Sequence, residues 1–407
     1  MPETDGETLR VSVIVVSRHR PAALERCIAA LTRQDHPFEL ILVADPAAVG
    51  LRPDLPIKRL AFDRANISAA RNAGLALAAG QVVLFIDDDA LAEPGWVGAL
   101  AAGFADPRVL AATGFTRGPD GLNWQVEAER IDASGRARPI QIHEAAALGP
   151  EADDPVSTLG TNCAFRRDAL LVIGGFDPAF AYHLDESDVN RRLAAAFPQG
   201  LTAVVPGAEV IHGLAAGTSR AGSGVAPGVP HDLRAIGRST AIFAARHGGD
   251  DGWLAATQRN RLLRLMVAGR IDPVAVPRLL ATLAAGRAEA LAALPVPVPG
   301  PWSAPPPPAY LPLPRRPTRS LFLAGWHWQR RRLRAQAARA VAEDRLVTLL
   351  LLTPTVLPHR MHLVAGGWWE QRGGLWGPSR PGDSAVILCR FRARSAREQG
   401  IFAALRH

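Results

Sequence analysis

Three carboxylates in a row, Asp87-Asp88-Asp89, close the apolar run Val82 to Ile86. Adjacent acids repel one another and lose solvation at the edge of a core, so they persist where a cation or a set of donors faces them. Asp87 and Asp89 suit a hard divalent ion, Mg²⁺ or Mn²⁺, that in turn holds a diphosphate. A solvated acidic turn is the competing reading, and these residues alone do not decide. Elsewhere, Ser17 follows Val11–Val16 and Asp45 follows Phe38–Val43, while Asp185, Glu186 and Asp188 open a helical pattern. Asp45 also reads as a turn former before Pro46. The acids at 185–188 are also what a helix dipole favours at its N-terminus. His212 ends a further apolar run, and a lone histidine there is structural as readily as it is a ligand.

The elements that must position these residues alternate. Val11–Val16, Phe38–Val43, Ile57–Phe62 and Gln81–Ile86 read as strands, and helical patterns run from Leu24 and from Ser68 to Ala79, with Ser68 as N-cap. This succession predicts a parallel α/β sheet. Ligands of such sheets sit beyond the carboxyl ends of the strands, so Ser17, Asp45 and Asp87 should converge on one crevice. Further helices are expected at Pro94–Phe104, Arg167–Ile173 and Asp185–Ala196, and strands at Val109–Phe115, Leu201–Pro206 and Ala208–His212. Residues 117–156 read as a variable loop or insertion.

With 407 residues, 48% hydrophobic and 21% charged, the chain can bury about two domain cores. The net charge of +8 is almost wholly arginine, since Lys58 is the one lysine. Such a balance suits phosphorylated ligands, an anionic membrane or nucleic acid. The arginines are dispersed and form no nucleic-acid module, so no nucleic-acid partner is expected. Cys27, Cys163 and Cys389 imply neither a disulfide framework nor a CxxC metal site. No apolar stretch reaches the roughly 20 residues of a membrane span. The expectation is a cytoplasmic protein, soluble or peripheral on the inner face of the cell membrane.

Taken in order, VSVIVVSRHRP, ILVADP, ANISAARNAG, VVLFIDDDA, GTNCAFRRDALLVIGGFDPAF, HLDESDVNRRL and VIH resemble the inverting glycosyltransferases of family 2 over residues of about 10–250. The resemblance implies a GT-A fold: a Rossmann-like, mixed but mainly parallel sheet with flanking helices. It implies transfer of a sugar from a nucleotide-diphosphate sugar to a saccharide or lipid-linked saccharide, as in bacterial cell-surface polysaccharide or glycoconjugate synthesis. Val16, Ser17 and Arg18 would then lie beside the nucleotide, with Asp45 accepting an N–H from the base. Arg71 and Asn72 would face the diphosphate and sugar, with Asn66 and Arg64 as lesser contacts. Asp87 would serve ribose or metal and Asp89 the metal, with His212 as a further ligand. Asp88, counted with the nucleotide-sugar residues, would stand behind the ion's ligands or face solvent. Gly160, Thr161 and Asn162 would meet donor or acceptor sugar. Glu186 stands where the family places its catalytic Asp, with Asp185 or Asp188 able to serve instead and Asp188 as the family's helix-capping or acceptor-binding acid. Gly174 and Gly175 are read as backbone permissiveness.

Beyond residue 250 no motif is recognised. A helical extension is expected at 251–294, a Pro-rich extended linker at 295–317 and a small α+β region at 318–407. The helical pattern Trp253–Ala268, with Arg259, Arg261 and Arg264 among leucines, would lie on an anionic membrane or pack on the sheet domain. The segment 326–343 reads as a basic helix, and Leu346–Leu352 and Ala385–Arg390 as strands. The tryptophans at 326, 328, 368, 369 and 376 would line an acceptor groove or fill a small core. Residues 214–231 read as a mobile loop able to close over the donor.

Overall fold

The apolar runs become strands because both faces of one sheet are covered. In the computed structural model, which describes residues 9–151, 154–213, 229–314, 319–380 and 382–406, the first half builds that sheet. Its leading elements are β1 (Val11–Ser17), α1 (Pro21–Leu31), β2 (Glu39–Ala44), β3 (Ile57–Ala61), α2 (Ile67–Leu75) and β4 (Val82–Asp87). Val13, Leu42 and Leu84 face one core, under α1. Ile14, Val43 and Phe85 alternate with them and face the other, under α2. That period of two, buried on both sides, is why these strands read as continuous apolar runs.

After β4 come β5 (Ala90–Ala92), α3 (Trp96–Ala102) and β6 (Val109–Arg117). Residues 117–156, expected as an irregular insertion, instead hold β7 (Trp124–Val126), β8 (Glu129–Ile131), β9 (Ala137–Pro139), β10 (Ala146–Leu148) and the start of β11 (Val156–Ser157). These strands are two or three residues long, too short to show a period. β12 (Cys163–Arg166), α4 (Arg167–Val172), α5 (Asp185–Ala196) and β13 (Leu201–His212) complete the unit. The two strands expected at 201–212 are one, interrupted by a bulge between Val205 and Val210. The main order is β10-β13-β6-β12-β4-β1-β2-β3, with β5 on β13 and β7 on β6. β3, β2, β1 and β4 run parallel; β12 is antiparallel to both β4 and β6, and β10 is antiparallel to β13. The mainly parallel α/β sheet is therefore as the sequence implied.

Ser68 does not cap α2. The cap is Asn66, which accepts from Ala69 N at 2.9 Å, while Ser68 donates to Phe180 O at 2.7 Å. Asn66 was available in the sequence, and the apolar Ile67 after it obscured the boundary. Gly174 and Gly175 both carry positive φ, +81° and +73°, as their pairing suggested.

Three helices follow, α6 (Arg234–His247), α7 (Trp253–Val267) and α8 (Ala275–Ala293). α7 packs Leu254 and Leu262 with Leu233, Leu279 and Leu283 of its neighbours, so it lies on protein. The Pro-rich stretch is extended and strapped to the sheet domain: Trp302 N donates to Leu171 O, Leu313 N to Phe38 O, and Tyr310 to Val11 O. Lys58 bridges the strap and the sheet, binding Glu39 at 2.8 Å and Pro308 O at 3.1 Å.

A second sheet, ordered β14-β15-β17-β16, contains β14 (Ser320–Trp326), β15 (Leu346–Thr353), β16 (Arg360–Leu363) and β17 (Trp369–Gly374). The basic helix expected at 326–343 begins only at Arg330, as α9 (Arg330–Ala342), because Ser320–Trp326 is drawn into the sheet beside β15. Ala385–Arg390 is not a strand, and the chain ends instead in α10 (Phe391–Arg406). Trp368 and Trp369 are buried in this module, Trp326 and Trp376 are partly buried, and Trp328 is exposed. Ala30, Leu122 and Ile211 of the first unit share a core with Leu346, Met361, Trp369 and Phe402 of the second. Among the described residues, no helix is long and apolar enough to cross a membrane.

Candidate active site

β4 ends at Asp87 and β13 at His212, and the β5–β13 pairing sets His212 opposite Ala90. That register, not sequence spacing, joins two acids to a histidine more than 120 residues away. Ligand atoms of Asp87, Asp89 and His212 all lie within 4.8 Å of one another. His212 Nε2 is 3.4 Å from Asp89 Oδ1, and its Nδ1 is 3.2 Å from Gln125 Oε1 on β7. With the amide oxygen accepting from Nδ1–H, the Nε2 lone pair faces a carboxylate oxygen. In that tautomer the ring nitrogen and the carboxylates can share one cation, with Arg20 also 3.6 Å from Asp89. The carboxylate, carboxylate and imidazole set fits a divalent ion such as Mn²⁺.

The three residues border a cleft of about 440 Å³, which Val16, Ser17, Arg18, Arg20, Asn66, Tyr182, His183, Gln258 and Arg261 also line. It opens at the carboxyl ends of β1 and β4, where an α/β sheet puts its ligands. Arginines at 18, 20, 64 and 261 line it together with Asp87, Asp89 and Asp232. Arg18 pairs with Asp63 at 2.7 Å. Burial pulls the His183 imidazole down to about 4, so the cleft wall presents it neutral.

Asp88 is wholly buried. Ser17 donates to it at 2.6 Å and Arg20 approaches to 2.6 Å. Burial pushes its carboxyl up to about 7, against the pull of Arg20. Asp88 therefore anchors the loop after β1, behind the two acids that flank it. Asp45 is likewise buried, accepting from His19 N at 2.8 Å and Ala47 N at 3.1 Å. The His19 N–H, more than any other contact, holds its carboxyl below the usual range. Those bonds fix His19 at φ +58°, and Asp45 is not among the cleft-lining residues.

Arg71, expected on the diphosphate, is enclosed. It binds Asp185 at 2.5 Å, Gly160 O at 2.7 Å and Asp87 at 3.2 Å, and so ties the metal-side strand to α5. Asn72 clamps a turn: it accepts from Phe176 N and donates to Phe176 O. Asn162 has its amide buried between Trp96, Phe115 O and Ala208 O. Thr161 is buried as well.

The acids of α5 split into different environments. Asp188 is buried among Arg192, Arg246 and His247, at 2.6, 3.0 and 3.1 Å, and anchors the start of α5 to α6. Asp185 is buried on Arg71. Glu186 alone is half-buried, beside Arg71, and a Cβ on Gly160 would lie 3.2 Å from its Oε2. Burial, then the charge and hydrogen bond of Asp185, hold its carboxyl well above the usual range. None of the three acids is among the cleft-lining residues. Leu184, preceding them, holds a left-handed φ of +63°, the kind of strain that gathers at functional turns.

Sequence reasoning missed Arg20, Gln125, Tyr182, His183, Gln258 and Arg261. Arg20 and His183 stand within recognised motifs and were within reach of the sequence. Gln125, Gln258 and Arg261 sit in segments without a motif, and only tertiary packing brings them to the site. The loop expected to close over the donor, 214–231, lies outside the described residues up to position 228.

Residues 12–173 match the model of the family described as Glycosyl transferase family 2. Over 180 residues the chain is 27% identical to the glucosyl-dolichyl phosphate glucuronosyltransferase of Haloferax volcanii, covering 42% of this chain and 56% of that protein. It is 26% identical over 180 residues to the pre-mycofactocin glycosyltransferase of Mycobacterium tuberculosis, covering 41% of this chain and 35% of that one. The chain thus spans about half or less of these curated relatives. A mannosyltransferase of Pyrobaculum calidifontis, solved with GDP-Man and Mn²⁺, aligns over 72% of this chain and 78% of its own, with TM-score 0.40 and 22% identity. Sequence match, sheet and strand-end acids agree, and residues 12–173 belong to glycosyltransferase family 2.

Proposed function

We propose that the protein is a metal-dependent, inverting glycosyltransferase that moves a sugar from a nucleotide-diphosphate sugar to an acceptor hydroxyl. The observation that carries this reading is the meeting of Asp87, Asp89 and His212 at the edge of the cleft. Mn²⁺ or Mg²⁺ bound there would supply positive charge for the departing diphosphate. Arg20, at the same edge, adds a planar cation for phosphate oxygens. Arg71 acts as a positioning residue, holding Asp87 and Asp185 through its two ends.

Glu186 is the proton acceptor in this reading. It is the one acid of the α5 cluster that is neither fully buried nor in an ion pair among the described residues. Ionised, it would take the proton from the acceptor hydroxyl as that oxygen attacks the anomeric carbon. A single displacement inverts the configuration. Names of relatives favour a saccharide or lipid-linked saccharide acceptor, since the Haloferax volcanii protein is named for glucosyl-dolichyl phosphate. A place in cytoplasmic assembly of surface polysaccharide or glycoconjugate accords with this.

Nucleoside diphosphate release from a panel of nucleotide sugars, with Mn²⁺ and with EDTA, tests the reading. Release with one donor, lost in EDTA and lost in Glu186→Gln while donor binding remains, is expected. Full activity of Glu186→Gln sinks the assignment of the base. Activity indifferent to EDTA sinks the metal.

A further inference from the structure

The C-terminal module presents an apolar surface that nothing among the described residues covers. β14, β15 and β17 run parallel, so the segments that leave their carboxyl ends emerge at one edge of the sheet. Those segments carry Trp328, Val356, Leu357, Val386 and Leu388, with Trp328 62% and Leu388 88% exposed. Contacts join them. The Trp326 and Trp328 rings stack at 4.9 Å and 9°, and Phe391 lies 5.0 Å from Trp326. Trp376 N donates to Thr355 O, its indole N–H to Cys389 O, and Ile387 N to Trp376 O. Exposed apolar residues scattered singly are ordinary, whereas several gathered at one edge indicate a binding surface.

The charge around this edge names the occupant. Arg331 and Arg332 follow Trp328, and Arg390 and Arg392 flank Phe391; all four are exposed and make no ion pair among the described residues. Residues 319–407 contain fifteen arginines and five carboxylates, so the chain's excess positive charge resides in this module. A second copy of the same face would meet it arginine to arginine, which disfavours self-association. A nucleic acid would use the arginines but leave the aliphatic side chains without an apolar partner. An anionic bilayer satisfies both, with phosphate headgroups for the guanidinium groups and hydrocarbon for Trp, Leu and Val.

We propose that this edge, centred on Trp328 and Leu388 and ringed by Arg331, Arg332, Arg390 and Arg392, docks the protein on an anionic membrane surface. The site differs from α7, for which the sequence left membrane contact and packing on protein both open and whose Leu254 and Leu262 pack on protein. It stands independently of the transferase reading, because docking needs neither donor nor acceptor.

Sedimentation of the full chain with vesicles tests it, comparing phosphatidylcholine alone with an equal mixture of phosphatidylcholine and phosphatidylglycerol. Tighter partitioning to the anionic vesicles by about tenfold or more, weakening as salt rises, is expected. Trp328→Ser with Leu388→Ser, and separately Arg390→Gln with Arg392→Gln, should each lower partitioning about tenfold or more at unchanged melting temperature. Arg339→Gln, an exposed arginine near the opposite end of α9, should leave it unchanged. Equal binding to neutral and anionic vesicles, or wild-type binding by the Trp328/Leu388 double variant, overturns the proposal. Retention on single-stranded DNA without vesicle binding also overturns it and makes the edge a nucleic-acid surface.

Discussion

Glu186 and Asp185 are neighbours with opposite environments. Asp185 has Arg71 at 2.5 Å, while Glu186 has burial and the Asp185 charge against its ionisation. A base must be ionised to accept a proton, so the transfer rate should rise with pH through the raised Glu186 pKa. The acid limb of the kcat profile should lie above the ordinary glutamate range. Asp185→Asn removes the charge and bond that raise it, and should move that limb to lower pH. A limb that stays in place in this variant removes Glu186 as the titrating base. At the metal edge, Asp89→Asn should weaken Mn²⁺ binding and lower kcat by about a hundredfold or more, the scale on which lost electrostatic stabilisation of a transition state registers. Calorimetric titration beside the rate assay would detect both, and unchanged Mn²⁺ affinity would assign the metal elsewhere.

β7 is only three residues long, yet it carries Gln125 to His212. An outer partner that fixes a ligand imidazole is worth about 10–100-fold in metal affinity, so Gln125→Leu should lower Mn²⁺ affinity by that factor. Unchanged affinity would mean that β7 serves the sheet alone. The strap at 295–314 is a similar case of an element whose importance lies in what it lies upon. Its Leu313 is buried against the sheet core, and Leu313→Ala should cost about 2–5 kcal/mol in chemical unfolding. A loss below about 0.5 kcal/mol, the range of surface substitutions, would make the strap a peripheral spacer.

Across the whole molecule, one buried link joins the last helix to the strand-end loop beside the cleft. Arg406 grips both carboxylate oxygens of Glu93 with one guanidinium edge, at 2.6 and 2.8 Å, and Glu93 lies four residues after Asp89. Both side chains are almost fully buried. Removing one partner strands the other charge, so Arg406→Ala should destabilise the protein by about 3–5 kcal/mol. Adding Glu93→Gln should restore part of that loss, because the stranded charge is then gone. Strictly additive losses in urea unfolding would show that the pair does not couple the two sheets.

The sequence by itself determined the parallel sheet, because strands buried on both faces must be continuous apolar runs, and Val11–Val16, Phe38–Val43 and Val82–Ile86 are that. It also determined the acids at β4 and α5, whose motifs are local. Which polar residues face the cleft depended on packing between distant segments. Asp45, Asp88, Arg71, Asn72, Asn162 and Asp188 stand in motif positions, but the fold turns each inward to partners remote in sequence. A motif fixes where the backbone goes; whether a side chain on it is spent on structure or left for a ligand depends on neighbours that no local pattern contains. The Asp87, Asp89 and His212 cluster shows both halves. The acids were legible at a strand end, and their union with His212 awaited the pairing of β5 with β13.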